Sequence, residues 1–194
     1  MNIKYKIEFF SDWHCGSGLA AGADIDQLVI KDKDKLPFVP GKTIKGLIRE
    51  AIETIDCFSQ KDPQKDQLLK VAFGFFDDKS SSEERAIKGT LFFSNAELAE
   101  EQKKIILKNG LGKYLYRAVA STSIDENGIA KDGSLRRTET VIPCTLFGDI
   151  LDVPDLLMAD IEDALLFVKR LGVNRNRGLG RCEFSIIKKE GVQE

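Results

Sequence analysis

Histidine is nearly missing: His14 is the only one among 194 residues. A structural zinc site built on Cys and His therefore lacks partners. The four cysteines, Cys15, Cys57, Cys144 and Cys182, show no C-x-x-C spacing. Scattered in this way, they read as reduced thiols of a cytoplasmic protein. Long apolar runs are missing too, so no segment has the length of a membrane span. The opening MNIKYKIEFF has neither the apolar core nor the small-residue cleavage site of a signal peptide. Nor is there a basic excess. Lys and Arg number 29 against 31 Asp and Glu, for a formal net charge of −2, and the isoelectric point is about 5.6. Any nucleic-acid surface must therefore be a local patch. No internal repeat is visible.

What is present suffices for one folded domain with room for an insertion, since 42% of the 194 residues are hydrophobic. Ile3, Tyr5, Ile7 and Phe9 alternate with Lys4, Lys6 and Glu8, which predicts a half-buried strand over residues 1–10. The following SDWHCGSGLAAG contains G-x-G-x-x-A, but no helix pattern opens at those glycines, and a dinucleotide site is rejected. Residues 28–31 predict a short strand. Gly41-Lys42-Thr43 looks like the end of a phosphate loop. The glycine required five residues earlier is Leu36, so that reading fails as well. The clearest element comes next. Ile44, Leu47, Ile48, Ala51, Ile52 and Ile55 form one apolar helical stripe, with Thr43 as its N-cap. Gly46 in its first turns costs about 1 kcal/mol relative to Ala. A close approach by another backbone or a ligand would explain it.

A second short helix opens at Pro63 and closes at Gly74, followed by a polar loop at 77–85. Residues 90–96 predict a strand. Residues 97–109 fit either a helix closed by Asn109-Gly110 or an irregular insertion. Residues 114–122 read as extended and 142–153 as a strand. Leu157, Ile161, Ala164, Leu165, Val168 and Leu171 mark a further helical face. Between these strands lies SIDENGIAKDGSLRRTETV, polar and punctuated by Asn-Gly and Asp-Gly, a protruding hairpin or arm over about 120–140. A glycine-rich basic loop at 172–181 leads into a last alternating strand at 182–188 and a frayed tail at 191–194. Stripped of insertions the order is β-α-β-β-α-β. It predicts an α+β protein with a ferredoxin-like (RRM-like) core, one domain over residues 1–194.

Three cationic clusters stand out from this acidic chain. Lys42, Lys45 and Arg49 mark a helix start, where anions are favoured. Arg136 and Arg137 lie in the arm. Arg175, Arg177 and Arg181 lie in the glycine-rich loop, where glycines let the chain pass close to a ligand and arginines match phosphate geometry. The bland alternatives are a polar helix face and a solvated turn. Asp24 and Asp26 are the candidate acids. A lone carboxylate can hold a divalent ion or act as base on a ribose 2′-OH or water. Asp beside glycines commonly caps a turn, and spacing alone favours that role. His14 is a candidate base for RNA cleavage, or a structural residue packed beside Trp13.

Four motifs, in order, make the chain resemble the RAMP (repeat-associated mysterious protein) superfamily, most closely the backbone subunits of type III CRISPR effector complexes. They are HCGSGLAAGADIDQLVIKD, PFVPGKTIKGLIREA, STSIDENGIAKDGSLRRTETVIPCTLF and LGVNRNRGLGRCEF. The resemblance implies an antiviral, CRISPR RNA-binding subunit. Such subunits assemble head to tail along the guide RNA with other RAMP subunits, and their β-hairpin thumb kinks the guide–target duplex. The resemblance also implies that Asp26, within Ile25-Asp26-Gln27-Leu28-Val29-Ile30-Lys31-Asp32, cuts target RNA as a metal-dependent endoribonuclease. The divalent metal, Mg²⁺, would be held transiently through the substrate. Lys42, Lys45 and Arg49 match guide-backbone positions, and Arg175, Arg177 and Arg181 match the glycine-loop region. Two alternatives stay open: a non-catalytic ruler subunit, and a metal-independent endonuclease that processes CRISPR precursor RNA with His14 as base.

Overall fold

The computed structural model describes residues 1–22, 24–57, 63–76 and 86–190. The polar loop at 77–85 and the tail at 191–194 lie outside these residues.

Alternation builds the first strand as expected. In β1 (Asn2–Phe9), Ile3, Tyr5, Ile7 and Phe9 are buried on one face. The stripe of α1 (Gly41–Asp56) then contributes Ile44, Ile48, Ala51 and Ile52 to the same core. Next come α2 (Pro63–Phe73), β2 (Gly74–Phe76), β3 (Ala86–Lys88), β4 (Phe92–Phe93) and α3 (Glu100–Lys108). The chain continues through β5 (Tyr116–Ser121), β6 (Arg136–Val141), β7 (Thr145–Leu151), α4 (Met158–Phe167) and β8 (Cys182–Glu190). Four strands form the main sheet in the order β4-β7-β1-β8. Each neighbouring pair is antiparallel. Taken with α1 and α4, which pack on each other, this is the expected ferredoxin-like βαββαβ core.

Several local expectations change. The helix start moves from Thr43 to Gly41, with Pro40 in the capping position and no side-chain cap of its own. The cap comes from beside β4, where Asn95 Oδ1 accepts the Gly41 N–H at 3.0 Å. Gly41 is needed there, because a Cβ would lie 2.0 Å from the Phe93 carbonyl oxygen. Residues 28–31 form no strand, only the isolated bridges Gly16↔Val29 and Lys31↔Pro37. The strand expected at 90–96 shrinks to β4 plus the bridges Val39↔Ala96 and Glu97↔Phe147. Residues 97–109 resolve as the helix α3, and Gly110 at φ +64° lets the chain turn after it. The final helix ends at Phe167, earlier than its apolar pattern, although Val168 and Leu171 stay in the core. The small β2–β3 hairpin was not anticipated.

The arm is a two-stranded hairpin of its own, β5 with β6, running from the pair Tyr116↔Val141 out to Ser121↔Arg136. It is longer than the anticipated 120–140. Toward its tip Ile124 and Ile129 are mostly exposed. All four cysteines are free thiols. Burial pushes Cys144 up to about 11 and Cys182 up to about 12, which makes both poor nucleophiles. No helix among the described residues is long and apolar enough to cross a membrane.

Candidate RNA interface and acidic site

The segment leaving β1 is the hub. On one side Trp13 exchanges backbone hydrogen bonds with Val141 at the base of β6, at 3.0 and 2.8 Å. On the other side it supports the glycine-rich loop. The Val173 N–H donates to His14 O at 2.9 Å and the Gly180 N–H to Asp12 O at 2.8 Å. The Arg181 N–H donates to Ser11 Oγ at 2.9 Å. His14 itself is 1% exposed, with Nδ1 and the Glu139 carbonyl oxygen 2.6 Å apart. That seat is a structural one and leaves the imidazole no open path to a bound RNA.

The acidic stretch runs back along β6. Gln27 and Thr138 form a parallel bridge, and the Glu139 N–H donates to Gln27 O at 2.9 Å. Asp26 is exposed. Its N–H donates to Arg137 O at 2.9 Å, and its Oδ2 accepts the Arg137 N–H at 2.7 Å. Oδ1 has no protein partner among the described residues. One Asp26 carboxylate oxygen thus fastens the acidic stretch to β6, a contact across the fold rather than the turn cap that spacing favours. Asp24 is also exposed, but it only closes a local turn, donating its N–H to Ala21 O at 3.2 Å. Among the described residues no three His, Cys, Asp or Glu side chains converge as a metal-ligand set.

The structure bonds Asp26 to the backbone of Arg137, which follows Arg136 on β6. Lys42 is exposed and lies close to Cys15, whose thiol burial pushes up while Thr43 and Lys42 pull it down. Cys15 O accepts the Ile30 N–H at 2.8 Å, so the start of α1 sits beside the acidic stretch. Lys45 and Arg49 are partly committed to structure. Lys45 Nζ donates to Leu91 O at 3.3 Å. Arg49 donates to Gly74 O at 3.1 Å and pairs with Glu53 at 2.8 Å. Burial, then Lys88 and Arg49 nearby, hold the Lys45 ammonium below its ordinary pKa. Lys88 on β3 therefore joins this cluster, which the sequence reading missed. Gly46 has open space where a Cβ would stand, so no protein backbone explains it.

The glycine-rich loop differs from its expectation. Gly172 and Gly180 are close-packed against the protein itself, where a Cβ would lie 2.3 Å from His14 O and 1.9 Å from Leu171 O. Arg175 pairs with Glu50 of α1 at 3.5 Å. Arg177 is exposed with no carboxylate partner among the described residues. The Arg181 guanidinium lies 6.0 Å from the ring of Phe10, which is itself half exposed. Among the described residues Arg181 has no carboxylate partner, and an arginine beside an exposed aromatic is a pair able to stack against a base. Glu139 was also missed. It is a single acid inside SLRRTETV, and only folding brings Val29 and Lys31 to it.

Comparison with known proteins adds a lineage. A profile of the RAMP superfamily matches residues 6–183. No curated protein matches the sequence significantly. A chain from the cryo-EM structure of Type III-B Cmr-beta in the apo state superposes with a TM-score of 0.69 at 14% identity, covering 97% of this chain and 98% of that one. A chain from Type III-B Cmr-beta bound to cognate target RNA gives 0.68 at 12% identity, covering 96% and 97%. At such identities the likeness is one of fold.

Proposed function

Because the chain belongs to the RAMP superfamily, we propose that it is a CRISPR RNA-binding backbone subunit of a type III effector complex that cuts guide-paired target RNA. The observation that carries the nuclease reading is the seat of Asp26. It is an exposed carboxylate bonded to the backbone of Arg137. It stands at a hairpin whose Arg136 and Arg137 have no carboxylate partner among the described residues. In this reading one arginine of the pair, whose side chains alternate across β6, holds a target phosphate, and Asp26 Oδ1 accepts a proton from the ribose 2′-OH or water beside it. Cutting would depend on a divalent ion, Mg²⁺, which Asp26 would hold transiently through the bound RNA and which would stabilise negative charge on the phosphate. The guide backbone runs over Lys42, Lys45 and Arg49, with Arg175, Arg177 and Arg181 beside it. Other RAMP subunits, including copies of this chain arranged head to tail, complete the ribonucleoprotein. Fold likeness to a chain solved with cognate target RNA supports this choice of ligand.

A second reading has its own observation. Asp26 Oδ2 already serves the Arg137 N–H, a purely architectural role, which suits a ruler subunit that binds and does not cut. The two part in one assay. The complex is assembled on its guide RNA and given labelled complementary RNA and Mg²⁺, with Asp26→Ala and EDTA as controls. Regularly spaced cuts that vanish in both controls are the expected result. Tight target binding with no cuts by the wild type would leave the ruler subunit.

A further inference from the structure

Glu139 is a carboxylate that the proposed chemistry does not use, and it is only 7% exposed. Burying a charge is costly unless every oxygen is satisfied. Here both oxygens are. Oε2 accepts the Val29 N–H at 3.0 Å and Oε1 takes Lys31 Nζ at 2.8 Å. Lys31 in turn sits 4.1 Å over the ring of Tyr116, on the opposite strand of the hairpin. The Tyr116 hydroxyl donates to Lys35 O at 2.7 Å. Burial, with Glu139 and Asp32 nearby, pushes that hydroxyl above its ordinary pKa, so it stays a donor. The backbone of Glu139 is engaged as well, to Gln27 O and to His14 Nδ1.

One residue of β6 thus grips the acidic stretch at Gln27, Val29 and Lys31, directly after Asp26. The backbone bonds alone do not define the register, because successive residues of an extended chain offer the same groups. A slip by one residue would turn Asp26 to the opposite face. In the register seen the Glu139 carboxylate meets the Val29 N–H and the Lys31 ammonium together, whereas a one-residue slip would put Ile30 or Asp32 in the place of Lys31. We propose that Glu139 is a positioning residue for Asp26. It locks the acidic stretch and the arm into one body, so that the carboxylate keeps a set place beside the hairpin. This rests on the nuclease reading for its effect on cutting, and on geometry alone for its effect on the loop.

The test uses the guide-assembled complex with Glu139→Ala and Glu139→Gln, the second of which keeps an acceptor for the Val29 N–H. Single-turnover cutting at saturating target is measured beside target affinity. Amide hydrogen exchange at Asp26, Val29 and Arg137 is followed in the same proteins. Glu139→Ala should slow cutting by about 100-fold, the scale of an ångström-sized misplacement. Affinity should stay at the wild-type value, exchange at the three amides should speed up, and Glu139→Gln, which keeps the acceptor for Val29 but loses the pair with Lys31, should recover part of both. Unchanged exchange in Glu139→Ala overturns the proposal. So does a parallel loss of stability, affinity and cutting that Glu139→Gln does not rescue, which would make Glu139 an ordinary core residue. A wild-type complex that binds target without cutting sinks the nuclease reading instead, and the exchange measurement still decides whether Glu139 holds the loop.

Discussion

The acidic stretch and the glycine-rich loop flank the same segment, residues 10–15, and both look like ligand loops. Their glycines and charges are spent differently. In the glycine-rich loop the tight positions face inward: Gly172 lies against His14 O and Gly180 against Leu171 O. The loop is a close-packed part of the core's edge, and only side chains such as Arg177 and Arg181 are left on its rim. The acidic stretch is fastened the other way, by a buried side chain and three backbone groups of β6, the Arg137 N–H and carbonyl and the Glu139 N–H. That leaves the Asp26 carboxylate at the surface. Two of the loop's three glycines, Gly172 and Gly180, thus stand where protein backbones meet each other. The Asp26 carboxylate is held from outside its own loop.

Substitutions can break or sharpen this contrast. The largest effect belongs to the acidic stretch. Asp26→Ala should lower the cutting rate by about 10³-fold, within the range of a lost acid–base group, with guide and target still bound in a filter or shift assay. Next comes the glycine-rich loop. Gly180→Ala combines φ +69° with a Cβ 1.9 Å from a carbonyl oxygen, and should destabilise the fold by about 3 kcal/mol or more in chemical denaturation. Gly178, at φ +93° with open space around it, is the internal control. Its alanine variant pays only the left-handed backbone cost of about 1–2 kcal/mol. Equal losses at the two positions would show that packing against Leu171 is not what the loop depends on. On the rim, Arg177→Ala should weaken RNA binding for every sequence and reduce the salt slope by about 1. Arg175→Ala should do less, because Glu50 already partners it. The smallest effect is at Gly46. Gly46→Ala should stabilise α1 by about 1 kcal/mol in a melt while lowering RNA affinity of the assembled complex. Unchanged affinity would remove that open face of α1 from the RNA path.

Periodic elements were legible in the sequence. The alternation in β1, the apolar stripe of α1 and the face later found on α4 each repeat often enough to be read without a partner. The βαββαβ order followed from them. What failed were features that need two distant segments. Thr43 was a sound local cap, but Asn95 supplies the cap from beyond β4, and Gly41 extends the helix to meet it. β4 is two residues long, too short for any pattern. Residues 28–31 read as a strand, yet they are held by single bridges and by Glu139 instead of a continuous ladder. At the candidate site Asp26 was singled out through the family resemblance rather than through its spacing. Glu139 carried no signal, since its partners lie about a hundred residues away in sequence, and Lys88 reaches the α1 cations only through an unexpected hairpin.

The most direct measurement is Asp26→Asn in the guide-assembled complex, with cut products and target affinity read from the same sample. Asparagine keeps a side-chain oxygen for the Arg137 N–H, so the loop stays fastened, and it removes only the charge and the proton-accepting carboxylate. The expected result is full target affinity with no cuts. Cutting at the wild-type rate would contradict a catalytic role for Asp26 and return it to the fastening of a loop.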